Sequence, residues 1–328
     1  MKTFKSILML GFFATLVVAC NPKEEPQDQR ANSGEKLTAL QDNLFDTALQ
    51  TTTLDAATGG TITAPQGSQF IFQPNSFEDG NGNLITGNVT IEYAEVYKRS
   101  DMVLMNKPTT GQMANGDKTY LLTGGEFYVK VSQNSCNCEV VISTPFEIRS
   151  TPDTDFSNFD TNLIGFRGEM QNDELVWLQM EGNTAAGINF VPVGVRDGGN
   201  GYYYSIFTSE NGWTNLDRFS ADPRPKTTLE VTVPQGYDDQ NSTIYISIDG
   251  DDHGIAPLDT YANGVFSEHY GQLPIGLEAH LIFFTVDDND VIRYQIKPIT
   301  VTVGQQEAID NLAVISQTDF QTAIDALP

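Results

Sequence analysis

The chain has 328 residues and a formal net charge of −25, because 43 acidic side chains oppose 18 basic ones. Nucleic acids and anionic lipid head groups would repel such a protein, so the charge argues against both as partners. The length allows two domains or slightly more.

Residues 1–19 have the three parts of an export signal. Two lysines lie near the start, residues 7–18 are almost wholly apolar, and the small residue Ala19 comes directly before Cys20. An apolar run of about 12 residues is shorter than the ~20 that span a bilayer, so it predicts a cleaved signal peptide rather than a permanent membrane helix.

The end of this segment, Val-Val-Ala-Cys at residues 17–20, resembles the lipobox of bacterial lipoproteins. The resemblance implies that Cys20 receives a diacylglycerol and becomes the first residue of the mature chain. Acyl chains on that residue would hold the protein at a membrane, which is the expected membrane partner. An ordinary signal peptide followed by a chance cysteine is the alternative.

Residues 21–29 are polar and charged and contain two prolines, which predicts a flexible tether. The cluster Lys23, Glu24 and Glu25 is similar to the signal that exports lipoproteins of Bacteroidota to the outer face of the outer membrane. We therefore expect a protein that is lipid-anchored in the outer membrane and faces the cell exterior. A generic acidic linker on a protein facing the periplasm is the alternative.

A further motif lies shortly after the tether. The residues Asp46-Thr47-Ala48 match the short motif at which exported Bacteroidota proteins are O-glycosylated, which makes Thr47 a candidate glycosylation site. The motif is short enough to arise by chance.

The rest of the chain has the pattern of antiparallel β-structure. Short segments rich in β-branched and aromatic residues alternate with turns rich in Gly, Asn, Asp and Pro. The predicted fold class is all-β, with tandem antiparallel β-sandwich domains that are immunoglobulin-like. The predicted parts are a partly disordered or helical tether at 20–57, a first sandwich at 58–150, a connecting β-rich region at 151–222, a second sandwich at 223–305, and a tail with a short helix at 306–328.

Several segments resemble a β-sandwich domain of unknown function found in Bacteroidota lipoproteins. They are Gly-Gly-Thr-Ile-Thr at 59–63, Phe-Gln-Pro-Asn-Ser-Phe at 72–77, Asn-Lys-Pro-Thr-Thr at 106–110, Leu-Leu-Thr-Gly-Gly at 121–125 and Gly-Trp-Thr-Asn-Leu-Asp-Arg-Phe at 212–219. The pattern is more distantly similar to the sandwich domain shared by ankyrins and netrin receptors, which is a protein-interaction domain. The family carries no established active site, so the resemblance implies no catalytic residue.

Two acidic stretches are candidate calcium sites. Asp249, Asp251 and Asp252, followed by His253 and Asp259, form an acidic stretch just past a predicted strand and offer oxygen ligands of the kind calcium prefers. The alternative is an exposed acidic loop, which needs no metal ion. The weaker candidate, Asp79-x-Asn81-x-Asn83, has the first ligand spacing of an EF-hand, but Leu84 stands where that loop needs glycine. A hairpin turn is the alternative there.

Besides Cys20, the sequence has Cys136 and Cys138. We predict an optional local disulfide between them, because an exported protein meets an oxidising compartment. A metal site is disfavoured, since no nearby run of Cys or His supplies the further ligands.

No catalytic motif is present. The sequence lacks His-Glu-x-x-His, Gly-x-Ser-x-Gly and a phosphate-binding Gly-x-x-x-x-Gly-Lys loop, so we expect no enzyme and no cofactor apart from a possible calcium ion. Trp177, Trp213 and the tyrosines at 202–204 either stack on sugars or fill a sandwich core.

Three functions stay open. The leading hypothesis is a non-enzymatic binding or structural lipoprotein that contacts another macromolecule. A carbohydrate-binding lipoprotein for glycan capture is the first alternative. A hydrolase with a dispersed active site is the second, and it predicts a deep pocket that gathers Asp, Glu or His from several loops. The sequence does not decide between a protein and a glycan partner.

Overall fold

The computed structural model describes residues 31–135, 138–150, 160, 162–171, 174–180, 191–193, 201–250 and 254–328. These residues contain the three helices α1 (Ser33–Ala48), α2 (Arg99–Leu104) and α3 (Gln317–Asp325). No helix in these ranges combines the length and the apolar character needed to cross a membrane.

Strands make up most of the described chain, which confirms the predicted all-β class. The finer prediction of immunoglobulin-like domains stays a prediction. The first fourteen strands are β1 (Gln50–Asp55), β2 (Gly60–Thr63), β3 (Gln69–Phe72), β4 (Phe77–Asp79), β5 (Asn88–Val96), β6 (Thr110–Gln112), β7 (Lys118–Ser132), β8 (Val140–Ile142), β9 (Phe146–Ser150), β10 (Ile164–Gln171), β11 (Glu174–Gln179), β12 (Val191–Val193), β13 (Gly201–Thr208) and β14 (Trp213–Phe219).

These strands build the first sandwich. One sheet has the order β1-β5-β7-β14-β10-β11-β6, and β6 also pairs with β7, so five of its strands close into a ring. The facing sheet has the order β12-β13-β9-β3-β2, and β4 pairs with β8 in a small separate sheet. Alternate side chains of the two large sheets, including Phe70, Phe72, Phe127 and Phe146, fill the core between them. The predicted connecting region thus contributes β10 to β14 to these sheets.

The remaining strands build the second sandwich. They are β15 (Lys226–Thr232), β16 (Thr243–Ile248), β17 (Ile255–Pro257), β18 (Thr260–Ala262), β19 (Val265–Pro274), β20 (Glu278–Val286), β21 (Ile292–Thr300), β22 (Gln305–Ala308) and β23 (Ala313–Ile315). One sheet has the order β18-β19-β15-β22 and the other β17-β16-β20-β21-β23. Strand β23 and all of β22 but its first residue come from the predicted tail, which therefore extends both sheets.

A third core lies between the two sandwiches. In β20, Phe283 points into the second sandwich, whereas its neighbour Phe284 points out of it, against α3. Leu37 of α1, α2 and Trp213 of the first sandwich pack in this same core. Burial of each large apolar side chain contributes about 1.5–3 kcal/mol, so this shared core fixes the position of one sandwich relative to the other.

Strand β7 takes part in all three cores. Tyr120 and Leu122 pack in the second sandwich, Leu121 in the shared core, and Phe127 in the first sandwich. For one strand to contribute to all three cores, its side chains must change the face of the sheet to which they point, which a β-bulge allows. The register between β7 and β14 shifts beside Gly125, whose φ is 126°. A side chain there would come within 2.5 Å of the Tyr97 ring, so glycine is required.

Candidate functional site

A polar groove of about 590 Å³ lies where α1, the first sandwich and the second sandwich meet. Its side chains come from distant parts of the chain, because the shared core brings α1, the starts of β7 and β11, and the turn before β18 together. The polar side chains that matter most are Gln41, Asn106, Lys118, Glu174, Asp259 and Tyr270.

Lys118 lies at the centre of the charged part of the groove. Its Nζ is 3.1 Å from Oε2 of Glu174, in the first sandwich, and 3.0 Å from Oδ2 of Asp259, in the second. Burial lowers the pKa of Lys118, but the hydrogen bond to Asp259 and the charge of Glu174 outweigh it, and the pKa is raised overall. Lys118 therefore stays an ammonium ion that joins the two sandwiches across the groove.

Asp259 is held by several neighbours. Tyr270 donates a hydrogen bond from its hydroxyl to Oδ2 of Asp259 at 3.1 Å, and Thr260 donates to Oδ1 at 3.4 Å. Burial, and next the charge of Asp259, raise the pKa of Tyr270 to about 12. The tyrosine hydroxyl is thus a permanent donor at physiological pH, and the position of the Asp259 carboxylate is fixed.

A second carboxyl group lies behind this wall of the groove. Glu268 lines a small adjoining cavity together with Lys118, Asp259 and Tyr270. Its oxygens accept hydrogen bonds from the backbone N–H groups of Gly271 and Gln272, at 3.2 and 3.1 Å. Burial raises the pKa of Glu268 to about 7, against the effect of these hydrogen bonds. A carboxyl group of this pKa can gain or lose a proton near neutral pH.

The groove also presents an oriented amide. Tyr245 donates its hydroxyl to Oδ1 of Asn106 at 2.7 Å, so the Nδ2 group of Asn106, which has no partner among the described residues, is left as a donor. The groove thus combines carboxylate acceptors, amide and ammonium donors, and the tyrosines Tyr261 and Tyr270. Such a surface can bind polar ligands through directed hydrogen bonds.

Asp259 belongs to the acidic stretch that is the stronger calcium candidate, and none of the other groove residues was singled out in the sequence. Lys118 and Glu174 are separated by 56 positions, and Lys118 and Asp259 by 141. Residues so far apart form no local motif, and only the packing of the sandwiches brings them together.

The stronger calcium candidate is described only in part. Asp251 and Asp252 lie outside the described residues, and Asp249 has its Oδ1 atom 2.7 Å from Nδ1 of His280. Within the described ranges, no three His, Cys, Asp or Glu side chains are grouped so that they could hold a metal ion. Calcium binding at Asp249, Asp251 and Asp252 stays a prediction.

The weaker calcium candidate forms a hairpin turn. Oδ1 of Asp79 accepts hydrogen bonds from the backbone N–H groups of Asn81 and Asn83, at 2.8 and 2.9 Å. Hydrogen bonds from Asn83, through its side chain and its backbone, hold the pKa of Asp79 below its usual value. The carboxylate therefore orders the turn through its own backbone.

Of the remaining predicted site residues, the structure describes two, Thr47 and Cys138. Thr47 is exposed on α1 and donates its hydroxyl to the carbonyl oxygen of Asn43 at 2.7 Å. Cys138 is disulfide-bonded, whereas Cys136 lies outside the described residues, so the pairing of the two stays a prediction. The lipidation residue Cys20 and the export residues Lys23, Glu24 and Glu25 also lie outside them.

The tryptophans are core residues. Trp177 is fully buried, donating its indole N–H to the carbonyl of Pro108 at 2.9 Å, and Trp213 is 8% exposed. Tyr204 is buried as well, while Tyr203 is half-buried beneath the guanidinium group of Arg149. Both tryptophans thus fill a core rather than form an exposed platform for sugars.

Two of the family-like segments meet in a buried polar cluster. Asn215 lies opposite Glu126 across β14 and β7, and its side-chain amide donates to Asp217 at 2.6 Å. Glu126 and Asp217 are fully buried, and burial and their proximity to each other raise the pKa of Glu126 well above its usual value. Neither carboxylate oxygen of Glu126 has a hydrogen-bond partner within the described part of the chain. This cluster is enclosed and does not open into the groove.

No protein-family model matches the sequence, and no curated protein matches it either. Among solved structures, the chain is similar to the gamma-CGTase from the alkalophilic Bacillus clarkii, with 10% sequence identity and a TM-score of 0.18 over 78% of this chain. The chain spans 40% of the length of that protein. At this TM-score the likeness carries no argument about fold or activity.

Proposed function

We propose that the protein is a lipid-anchored, surface-displayed binding lipoprotein, without catalytic activity of its own, that contacts another macromolecule through the polar groove. The observation that carries this proposal is the groove itself, which is walled by both sandwiches and by α1. Its volume of about 590 Å³ lies within the range of ~300–1,000 Å³ that is usual for ligand sites.

The shared core supports a binding role because it fixes the walls of the groove. Leu37 of α1, Trp213 of the first sandwich and Phe284 of the second are parts of one apolar cluster. A site whose walls are already in position loses little conformational entropy on binding, which favours affinity.

The charged groups of the groove support binding rather than covalent catalysis. Lys118 is an ammonium ion paired with two carboxylates, which removes it as a nucleophile. His269 lies on the exposed side of β19, where Nδ1 is 2.9 Å from Oγ1 of Thr260. These contacts suit side chains that hold a ligand through hydrogen bonds.

The anchor enters the proposal through Cys20. Helix α1 begins at Ser33. Nζ of Lys36 in this helix lies 2.8 Å from Oδ1 of Asp290, so an ion pair connects α1 with the second sandwich. The predicted flexible tether of residues 21–29 would span roughly 15–18 Å on average. Such a length would hold the groove close to the membrane surface, within reach of molecules outside the cell.

The test uses the mature chain without its lipid. We expect saturable binding to a purified surface polysaccharide or extracellular protein from a screen of both classes, and no turnover of a broad ester, peptide and glycoside panel. Lys118→Met should abolish that binding, whereas the control Lys130→Met, an exposed change on the same strand β7, should leave it intact. Turnover that is lost in Lys118→Met would refute the non-enzymatic role.

A further inference from the structure

We infer that the groove recognises a neutral, hydroxyl-rich saccharide, with Glu174 and Lys118 as the paired acceptor and donor for its hydroxyl groups. This inference rests on the binding function proposed above and adds the chemical class of the ligand.

The charges of the groove disfavour an anionic ligand. Lys118 faces two carboxylates, Glu174 and Asp259, and Asp239 on the rim is exposed. The surplus is negative, so phosphate, sulfate or uronate groups would be repelled at the distances of a bound ligand.

The same arrangement disfavours a cationic ligand. The ammonium group of Lys118 already occupies the position between the carboxylates of Glu174 and Asp259, at 3.1 and 3.0 Å from them. A ligand amine or a divalent cation would have to displace it, and the freed lysine would lose both partners. A neutral ligand meets neither difficulty.

The hydrogen-bonding groups left over suit hydroxyl groups. Lys118 donates to Oε2 of Glu174 and to Oδ2 of Asp259, which leaves one ammonium proton as a donor. Oε1 of Glu174 accepts no hydrogen bond from the described part of the chain and is left as an acceptor. Asn106 adds the donor Nδ2, because its Oδ1 accepts from Tyr245. A sugar hydroxyl both donates and accepts, so neighbouring hydroxyls can satisfy an acceptor and a donor together.

The aromatic groups of the groove complete the match. Tyr261 and Tyr270 line it, both half-buried, and the hydroxyl of each is already used, by the carbonyl of Tyr237 and by Asp259. Phe266 packs against the ring of Tyr261 and His269 against the ring of Tyr270, with ring centroids 4.8 and 4.0 Å apart. The exposed part of each tyrosine ring is the apolar surface that can pack against the C–H face of a sugar ring.

The experiment titrates the mature chain with neutral oligosaccharides of several linkages, and with three charged probes: an oligogalacturonate, an oligomer of glucosamine and a lysine-rich peptide. Saturation-transfer NMR identifies ligands and calorimetry measures their affinity. We expect at least one neutral oligosaccharide to bind and the oligogalacturonate not to. Glu174→Gln, which keeps the shape and the contact with Lys118, should weaken the neutral ligand about tenfold or more, because it removes a charged acceptor.

The outcomes separate the two proposals. If only the peptide or a charged oligomer binds, and Lys118→Met abolishes that binding, the inference of a neutral saccharide ligand would be wrong and the proposed binding function would stand. Neutral binding that Glu174→Gln and Lys118→Met leave unchanged would overturn the assignment to this groove. Absence of binding by every probe, with a cooperative melting transition proving a folded protein, would overturn the saccharide, and the binding function would fall with it only if the screen of surface polysaccharides and extracellular proteins also found no ligand.

Discussion

Glu126 and Asn215 face each other across the pairing of β7 and β14, beside the bulge at Gly125. The side-chain amide of Asn215 donates a hydrogen bond to Asp217 at 2.6 Å rather than to Glu126. Neither carboxyl oxygen of Glu126 has a hydrogen-bond partner among the described residues. A buried carboxyl group in such surroundings costs free energy when it ionises. Burial raises the pKa of Glu126 and of Asp217, so the folded state favours their protonated forms.

The first prediction concerns pH. Because the pKa of Glu126 is raised on folding, its contribution to stability is fully present below its ordinary pKa of 4.5 and is lost as the pH rises through the raised value. At about pH 8, Glu126→Gln should therefore melt at a higher temperature than the wild type, and its free energy of unfolding should be larger by ~1–3 kcal/mol. The free energy of unfolding of this variant should also vary less with pH.

The nearby charges define the control for this measurement. The charge of Asp217 raises the pKa of Glu126, and the charge of Lys107 lowers it. The ammonium group of Lys107 lies 5.5 Å from the centre of the Phe45 ring, and burial lowers the pKa of Lys107, an effect that the charge of Asp42 in α1 opposes. Glu92→Gln, a partly exposed change on the adjacent strand β5, should leave the pH dependence of melting as in the wild type. Equal pH profiles for Glu126→Gln and the wild type would contradict the prediction.

The second prediction concerns the link between the sandwiches. Lys118→Met leaves Glu174 and Asp259 facing each other without a cation. We expect a loss of about 1–2 kcal/mol in unfolding free energy, less than for a fully buried pair because Glu174 is partly exposed. Urea denaturation followed by circular dichroism measures it. The exposed Lys130→Met should change stability by less than ~0.5 kcal/mol, and similar effects of both substitutions would be evidence against the link.

The third prediction concerns the contact of α1 with the first sandwich. The ring centroid of Phe45 lies 5.3 Å from that of Tyr128 and 5.4 Å from that of Trp213. Phe45→Ala should cost about 2–4 kcal/mol and shift the tryptophan emission to longer wavelength, because water reaches Trp213. Thr47→Ala, on the exposed face of the same helix, should leave the emission spectrum unchanged.

The fourth prediction concerns the anchor. Cys20→Ser should prevent incorporation of radioactive palmitate and leave the protein out of the membrane fraction, since acyl chains supply the binding energy. Cys138→Ser serves as the control and should still be labelled. Continued labelling of Cys20→Ser would place the lipid elsewhere.

The fifth prediction concerns the direction of display. Protease added to intact cells should degrade the wild-type protein, whereas replacement of Lys23, Glu24 and Glu25 by alanine should protect it. Immunoblots of cells and of lysates measure the two cases. Equal protection of both proteins would argue against the export signal.

Sequence patterns indicate the local structure well and the site poorly. Alternating apolar residues give the strands, and the turn at Asp79 follows from a side chain that bonds its own backbone. The environment of Trp213 is not predictable in this way, because alternation does not reveal that α1 covers the outer face of its sheet. Lys118 and Glu174 are not predictable for the same reason, since each has an ordinary polar pattern until the two sandwiches pack together. Asp259 stands out in the sequence only as part of an acidic stretch, which does not indicate its pairing with Lys118.

The position of α3 has a consequence for biosynthesis. Its Phe320 packs on Phe284 and Tyr294, with ring centroids 5.4 and 5.1 Å apart, and Arg99 donates to the carbonyl of Leu327 at 3.0 Å. The last of these contacts joins residues 228 positions apart. A chain that is still being synthesised therefore cannot complete its central core until residues after 316 have emerged. Contacts of such long sequence separation slow folding, and the apolar faces of this core stay exposed, and prone to aggregation, until then.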